Sequence, residues 1–278
     1  MTPQQYCQQI TAKSGSSFTL SFAILTPAKR DAMTALYAFC REVDDIVDEC
    51  TDLSVAQVKL NWWRDEISNL YQGKPIHPVT RALQEVIHPY NLAEEHFREI
   101  IDGMEMDLNF NRYADFKQLQ LYCYRVASVV GILSASIFGF THRNTLKYAH
   151  DLGMAFQLTN IIRDVGEDAR RNRIYLPLET LAQFNVTEDD ILNYRETPQI
   201  KALLEAQIEL AESYYDRALN ALPDEDRKSQ LAGLIMTGVY RTLLREIKAD
   251  GAEKVMNARI SLGHLRKLWL AFKIWLRR

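Results

Sequence analysis

The chain has 278 residues, a formal net charge of −3 at neutral pH and a hydrophobic content of 47%, which suffices for a sizeable core. So small a net charge creates no general field that attracts nucleic acid, and we expect no nucleic-acid partner. The four cysteines show no CxxC spacing, no uncharged apolar run approaches the length of a membrane span, and the N-terminus lacks a secretory signal pattern. We therefore expect a cytoplasmic protein with reduced thiols.

Apolar residues recur at the helical period through nearly the whole chain, while glycine, proline and alternating strand patterns are scarce. No repeat or low-complexity linker divides the chain. We expect an all-α fold and a single domain over residues 1–278. In chain order the pattern predicts helices over residues 4–13, 27–48, 54–67, 80–87, 94–108, 116–139, 142–170, 199–222 and 225–249.

Two stretches have two interpretations each. The loop of Ser14, Gly15, Ser16 and Ser17 offers small donors to phosphate oxygens, or is a plain turn. The apolar segment 128–136 carries several small residues, which suit either close helix packing or the wall of an apolar channel. The residues alone leave both choices open.

The helix over residues 27–48 carries an acidic ladder. Asp44 and Asp48 are four residues apart and share one helix face, which Arg41 and Tyr37 continue one and two turns earlier. Like charges at this spacing cost a helix about 0.2–0.5 kcal/mol, so the pair needs solvent or a compensating partner.

A second ladder lies on the helix over residues 142–170. Asn160, Asp164 and Asp168 are spaced four apart, with Arg163 beside Asp164. Either ladder alone fits a solvated acidic face. Two ladders, each with an arginine, instead indicate that they face each other across a cavity and hold Mg²⁺ through oxygen ligands.

Such an arrangement suits the release of a diphosphate group. Magnesium ions, with Arg41 and Arg163, would bind diphosphate oxygens and stabilise the charge that grows as a carbon–oxygen bond breaks. The allylic cation left behind needs a dry, apolar pocket in which aromatic faces stabilise positive charge. The uncharged helix segments can supply that pocket.

These residues resemble the squalene/phytoene synthase family, whose members join two prenyl diphosphates head to head. The resemblance spans essentially the whole chain and implies a helical bundle of the isoprenoid synthase type around a central cavity. Within the family, Ser14-Gly-Ser-Ser-Phe18 and Gly103-Met-Glu105-Met-Asp107-Leu are most similar to bacterial presqualene diphosphate synthases. The motifs that carry the family resemblance are Tyr37-Ala-Phe-Cys-Arg41-Glu-Val-Asp44-Asp45-Ile-Val-Asp48, Tyr122-Cys-Tyr-Arg-Val126-Ala, Gln157-Leu-Thr-Asn160-Ile-Ile-Arg163-Asp164-Val-Gly-Glu-Asp168 and Arg173-Ile-Tyr175-Leu-Pro177.

The resemblance implies a role for each matching position. The implied metal ligands are Asp44, Asp48, Asn160, Asp164 and Asp168. The implied diphosphate and substrate contacts are Ser14, Gly15, Ser16, Ser17, Tyr37, Arg41, Gln157, Arg163, Tyr240 and Arg259. Tyr122 is implied to lie in the central cavity, where it assists proton removal or stabilises the cation. With Tyr37, Arg41 and Arg163 it completes the predicted catalytic set.

The implied reaction condenses two molecules of farnesyl diphosphate to presqualene diphosphate, with release of diphosphate, in squalene and hopanoid biosynthesis. Mg²⁺ is the expected cofactor, with Mn²⁺ as an alternative. NADPH is not expected, because the resembling subfamily stops at presqualene diphosphate. Contact with downstream enzymes of the squalene pathway is a further expectation.

The residues by themselves leave other functions open. Phytoene or dehydrosqualene synthesis would use the same two ladders. A metal phosphohydrolase would fit the pair His150-Asp151, but none of the six histidines lies in the ladders. A non-catalytic helical scaffold would have no reason to keep both ladders and both arginines.

Residues 261–278 form a predicted basic amphipathic helix. From Arg259 to Arg278 the chain has six lysines or arginines and no acidic residue, interleaved with leucine, phenylalanine and tryptophan. This composition suits a helix lying on an anionic surface and predicts peripheral association with the inner face of the cell membrane. The alternative is that its tryptophans pack on the body of the protein.

Overall fold

The computed structural model describes residues 1–14, 17–50 and 52–276, with the backbone alone over residues 17–20. Within these ranges no β-strand forms, apart from an isolated bridge between Arg112 and Ile174, and the all-α prediction is confirmed. The α-helices of the described residues are α1 (Pro3–Lys13), α2 (Pro27–Glu49), α3 (Leu53–Tyr71), α4 (Pro78–Ile87), α5 (Glu94–Asn109), α6 (Phe116–Cys123), α7 (Val129–Phe138), α8 (Asn144–Arg170), α9 (Leu178–Gln183), α10 (Glu188–Leu192), α11 (Pro198–Ala221), α12 (Leu231–Asp250) and α13 (His264–Leu276).

Local signals in the sequence begin several of these helices. Asp52 accepts a hydrogen bond from the Ser54 backbone N–H at 2.9 Å to cap α3, and Asp115 caps α6 in the same way. A proline occupies the first position of α2, where its missing N–H is not needed, although the preceding threonine makes no side-chain capping bond. The sequence does not predict α9 and α10, because six and five residues are too few to show a period.

One predicted helix start is wrong. Helix α12 begins at Leu231 rather than near residue 225, because the preceding turn presents Asp226 to the start of α8. The Asp226 carboxylate accepts hydrogen bonds at 2.5–3.0 Å from Thr141, His142 and Thr145. This long-range set of bonds outweighs the local helical pattern.

A nearly continuous helical rod runs from Phe116 to Phe138 through α6, a π-helical turn at Tyr124–Ser128 and α7. By length and composition alone this rod could cross a membrane, but half of its apolar window is buried in the protein. It packs against α5 and α8. We therefore describe it as a core element, and the π turn is a local widening beside the cavity described below.

Glycine lets α7 and α8 approach closely. A Cβ atom on Gly131 would lie 2.5 Å from the carbonyl oxygen of Ala149, and one on Gly153 would lie 2.5 Å from the Cα of Ser128. The small residues of segment 128–136 therefore permit close packing. Since part of the same segment also lines an apolar cavity, both interpretations of that stretch hold.

The buried side chains form two cores. One surrounds α8 and α11, whose mutual contact is the most extensive in the molecule, and the other lies among α2, α3, α4 and α5 with part of α7. Helix α2 belongs to one core and α8 to the other. A central cavity opens between these two helices and is closed on a further side by α12.

Candidate active site

The central cavity has a volume of about 1080 Å³. The predicted site residues in its wall are Ser14, Tyr37, Arg41, Asp44, Asp48, Tyr122, Gln157, Asn160, Arg163, Asp164, Asp168, Tyr240 and Arg259. Gly15 and Ser16 lie outside the described residues, as does the side chain of Ser17. The two acidic ladders, in residues 44–48 and 160–168, thus line one space although they are far apart in the chain.

On α2 the ladder carboxylates pair with arginines from two parts of the chain. Arg41 Nη1 lies 3.0 Å from Asp44 Oδ2, within one helical turn. Asp48 Oδ1 lies 3.0 Å from Arg171 Nη1 and 3.4 Å from Arg173 Nη1, and both arginines follow the end of α8. The loop after α8 therefore closes over the end of the α2 ladder.

On α8 one ladder carboxylate binds two arginines. Arg163 Nε donates to Asp164 Oδ1 at 2.7 Å, and Arg259 Nε lies 3.3 Å from the same oxygen. Arg259 also lies 3.4 Å from Glu167, so it reaches the cavity from the segment before α13. The side-chain oxygen of Asn160 is buried without a hydrogen-bond partner. An acceptor in that position is available to a ligand.

The cavity raises the pKa of ladder carboxyl groups. Burial and the charge of Asp48 raise the pKa of Asp44 to about 7, although Arg41 opposes the rise. The Asp44 side chain is 41% accessible, and the space that it faces is the cavity that Asp48 and Asp107 also line. Burial and the charge of Asp164 raise the pKa of Asp168 to about 8. Like charges are held together here, at a cost that a bound cation would relieve.

A third acid links a group of tyrosines to the cavity wall. Asp107 of α5 accepts hydrogen bonds from the hydroxyls of Tyr122 and Tyr175, both at 2.8 Å. The rings of Tyr113, Tyr122 and Tyr175 lie with centroids 5.2–5.8 Å apart. Burial raises the pKa of Asp107 to about 6, while Arg173 and the two hydroxyls oppose the rise. Burial also raises the pKa of Tyr122, whose phenol stays protonated and donates to Asp107.

Several residues of the cavity wall have no functional role predicted from the sequence. Asp107, Arg173 and Tyr175 stand within the motifs quoted above, but spacing along the chain does not show that they reach the ladders. Lys267 lies on α13, where the amphipathic pattern gives no sign of a cavity contact. The charged and aromatic wall residues without a predicted role are Asp107, Glu167, Arg170, Arg171, Arg173, Tyr175 and Lys267.

An apolar cavity of about 250 Å³ adjoins the charged one. The two have four wall residues in common, Tyr37, Gln157, Asn160 and Tyr240. Phe156 and Tyr240 form an aromatic pair in its wall, with ring centroids 4.8 Å apart. Other apolar wall residues come from α2, the rod and α8, and they include Leu36, Val130, Ala135, Phe138 and Leu152. A charged chamber therefore leads into an apolar one.

The ladder residues fit hard divalent cations. They offer carboxylate and amide oxygens, the ligands that Mg²⁺ prefers, and the unpartnered oxygen of Asn160 lies among them. Within the part of the chain that the structure describes, no three acidic, histidine or cysteine side chains are gathered into one ligand cluster. Arginines pair with Asp44, Asp48 and Asp164. A cation would compete with these arginines for the carboxylates.

The helical bundle, with a charged cavity that opens into an apolar one, has the all-α fold of isoprenoid synthases. The family model described as squalene/phytoene synthase matches residues 11–266, and the chain belongs to that family. Members of the family are prenyltransferases, so the chain is a transferase of isoprenoid biosynthesis. The predicted family and fold are confirmed.

The similar proteins are named as synthases of different products. Phytoene synthase from Arthrospira platensis is 37% identical over 280 residues, which cover 95% of this chain and 89% of that protein. The structure of a dehydrosqualene synthase superposes with a TM-score of 0.84 at 30% identity, over 99% of this chain and 96% of that one. The structure of a squalene synthase from Alicyclobacillus acidocaldarius has a TM-score of 0.80 at 27% identity, over 90% and 94%.

Proposed function

We propose that this enzyme condenses two molecules of farnesyl diphosphate head to head, giving presqualene diphosphate, one diphosphate and one proton. The observation that supports a prenyl diphosphate as the substrate is the wall that the charged and the apolar cavity have in common. A diphosphate suits the first chamber and a prenyl chain suits the second. The choice of the C15 substrate rests on the resemblance of segments 14–18 and 103–108 to bacterial presqualene diphosphate synthases.

In this proposal the chain supplies donors, aromatic faces and a dry wall. Arg41 and Arg163 donate to the oxygens of the leaving diphosphate. Tyr37 and Tyr240, at the junction of the cavities, turn ring faces toward the allylic cation. The apolar wall excludes water that would capture the cation. Tyr122, positioned by Asp107, assists removal of the proton that closes the cyclopropane ring.

The two ladders are the proposed cation site. The residues that would hold Mg²⁺, or Mn²⁺ in its place, are Asp44, Asp48, Asn160, Asp164 and Asp168. When bound, the metal ion supplies Lewis-acid stabilisation of the diphosphate as a leaving group. We expect no NADPH requirement, because the proposed reaction ends at presqualene diphosphate. Later enzymes of the squalene pathway, which consume this product, are the proposed partners.

Phytoene synthesis from two C20 diphosphates is the second candidate. It is favoured by relatives of that name at 33–37% identity. The similarity to a dehydrosqualene synthase structure adds a C15 variant in which the reaction goes past the cyclopropane intermediate. All three reactions use the same charged chamber, and they differ in chain length or in the fate of the intermediate.

Product analysis separates these candidates. The protein is incubated with labelled farnesyl or geranylgeranyl diphosphate and Mg²⁺, with and without NADPH, and the products are identified by mass. Presqualene diphosphate from the C15 substrate supports the proposal. Phytoene from the C20 substrate supports the second candidate, and dehydrosqualene supports the third. Absence of diphosphate release from either substrate contradicts all of them.

A pair of variants tests whether the prenyl chain lies in the apolar cavity. Ala135 lines that cavity, whereas the next residue, Ser136, does not. We expect Ala135→Leu to raise the KM for farnesyl diphosphate about tenfold, since two or more methylenes of pocket depth are lost. Ser136→Leu should change it by less than about threefold. Equal KM values for the two variants would show that the prenyl chain of the substrate does not lie in the apolar cavity.

A further inference from the structure

Helix α13 is anchored to the body of the protein by one long face. Leu270 packs against the core around α8, and Ile274 lies against Gly238 of α12, where an added Cβ would sit 2.1 Å from its Cδ1. Lys267, on the same face, lines the central cavity. Residues three and four apart share a helix face, so these contacts leave the opposite face of α13 turned outward.

The outward face is apolar. At roughly 100° per residue, its large side chains fall within an arc of about 120°. Their exposed fractions range from 38% for Trp275 to 82% for Leu265, and the set consists of Leu265, Leu268, Trp269, Phe272, Trp275 and Leu276. A contiguous exposed apolar patch of this kind marks an interaction surface. If the tryptophans packed on the body of the protein, Trp269 would be buried, but it is 56% exposed.

Positive charge borders this apolar face. Lys273 lies over the ring of Trp269, with its Nζ 4.8 Å from the ring centroid, while Arg266 pairs with Glu246. The sequence adds Arg277 and Arg278, and no acidic residue occurs between residues 259 and 278. In a two-fold dimer built on this face, each copy would bring the same cations to the contact. An anionic surface with an apolar interior matches both features.

We propose that the outer face of α13 docks the protein on an anionic lipid bilayer. Leu265, Trp269 and Phe272 would lie at the boundary between headgroups and acyl chains, with Lys273 at the level of the phosphates. Docking needs no rearrangement of the helix, because Leu270 and Ile274 already hold it against the protein from the other side.

Docking would also bring the central cavity to the membrane. Ser261, Leu262 and Lys267, in and just before α13, line that cavity. Transfer of a greasy product from the cavity into lipid follows only if the proposed function is correct. The docking itself does not depend on the reaction, and its test uses no substrate.

The test measures binding of the full-length protein to vesicles by flotation and by tryptophan emission. Vesicles of neutral phosphatidylcholine are compared with vesicles containing about 30% phosphatidylglycerol, at about 0.1 M and about 0.5 M NaCl. A Trp62→Phe background removes the exposed tryptophan of α3, and Trp63 is buried, so the remaining solvent-sensitive emission reports α13. We expect binding to anionic vesicles at low salt, a blue shift, and protection from an aqueous quencher.

Matched variants connect the binding to the helix face. Trp269→Ser with Phe272→Ser should weaken binding more than about tenfold, because two large apolar anchors are lost. Lys273→Gln should weaken it about fivefold at low salt and little at high salt. The control, Val58→Ser with Trp62→Ser, changes two exposed apolar residues of α3 and should bind as the unchanged protein does. Circular dichroism and thermal melting establish that each variant is folded.

Three outcomes would overturn the proposal. The unchanged protein does not bind anionic vesicles, or the folded Trp269→Ser/Phe272→Ser variant binds them equally well. The third is a dimer, seen by light scattering, that Trp269→Ser/Phe272→Ser dissociates, which would assign the face to a second copy of the chain. Failure of any of these tests leaves the product analysis above unaffected, so the two proposals fail separately.

Discussion

Carboxylates face inward in two regions of the molecule, but their pKa values shift in opposite directions. Asp226 is 1% exposed and accepts four hydrogen bonds from the start of α8. Although burial raises its pKa, the bonds from Thr145 and Thr141 prevail and lower that pKa to about 2. In the central cavity, burial beside other acids raises the pKa of Asp44 to about 7 and of Asp168 to about 8.

The comparison separates a structural carboxylate from carboxylates kept for a ligand. Desolvation raises the pKa of each kind, although Asp226 is buried and the ladder acids line a partly solvated cavity. The balance of donors and neighbouring acids makes the difference. Asp226 accepts four hydrogen bonds, whereas the charges of Asp48 and Asp164 act on Asp44 and Asp168 and outweigh the nearby arginines. Activity and stability should therefore divide between the two regions, and the following variants test that division.

The largest expected effect is on activity, from Asp44→Asn. We expect turnover to fall by about a thousandfold, because the variant removes charge where the diphosphate leaves, while the fold survives with less repulsion. Release of diphosphate from farnesyl diphosphate with Mg²⁺ measures this. Glu49→Gln is the control, since Glu49 lies on the same helix, is exposed and does not line the cavity. Near-normal turnover in Asp44→Asn would remove that residue from the site.

The next largest effect is on stability, from Asp226→Asn. An amide in this position turns an N–H group toward N–H and O–H donors, so we expect a loss of about 2–3 kcal/mol in the free energy of unfolding. Denaturant unfolding measures it, with the exposed neighbour Asp224→Asn as control. The activity of the folded fraction should stay within about threefold of normal, because Asp226 does not line the cavity. An inactive but stable Asp226→Asn protein would end the proposed division.

A smaller effect on activity is expected from Tyr122→Phe. Tyr122 donates to Asp107, whereas the hydroxyl of Tyr113, in the same group of rings, is buried without a hydrogen-bond partner. We expect Tyr122→Phe to lower turnover about tenfold, since it removes the hydroxyl positioned by Asp107. Tyr113→Phe should leave turnover within about twofold and should not destabilise the fold. Equal turnover in the two variants would show that the rings act only through packing.

The smallest effect is the pH dependence of stability in the presence of EDTA. A carboxyl group whose pKa is higher folded than unfolded binds its proton more tightly when folded, so its ionisation lowers stability. For Asp44 and Asp168 that cost is absent below about pH 4 and complete above about pH 8. We expect the free energy of unfolding to fall between about pH 4 and pH 8, by only about 1 kcal/mol because the cavity is partly solvated.

Urea unfolding across this pH range measures the effect. The double variant Asp44→Asn/Asp168→Asn should show a flatter curve than the unchanged protein. Asp226 does not interfere, because its pKa is lowered and its stabilisation is present above about pH 4 and lost only as the pH falls toward 2. Equal slopes for the double variant and the unchanged protein would assign the pH dependence to other groups.

Much of the candidate site could be predicted because its signals are local. Four-residue spacing puts Asp44 with Asp48, and Asn160 with Asp164, on one helix face wherever the helices lie. The amphipathic period likewise predicts most helices and the basic tail. The start of α12 could not be predicted this way, because Asp226 serves a helix more than 80 residues earlier in the chain, at separations of 81–85 residues.

The amino-acid order by itself therefore determined which side chains share a helix face, most of the helical segments and which family the chain belongs to. Only the tertiary structure decided that Arg171 and Arg173 reach Asp48, that Asp107 holds Tyr122 and Tyr175, and that Lys267 enters the cavity while Trp269 faces outward. The physical reason is one of range. Helix geometry is set by hydrogen bonds between residues four apart, whereas these contacts depend on how distant helices pack their apolar faces together.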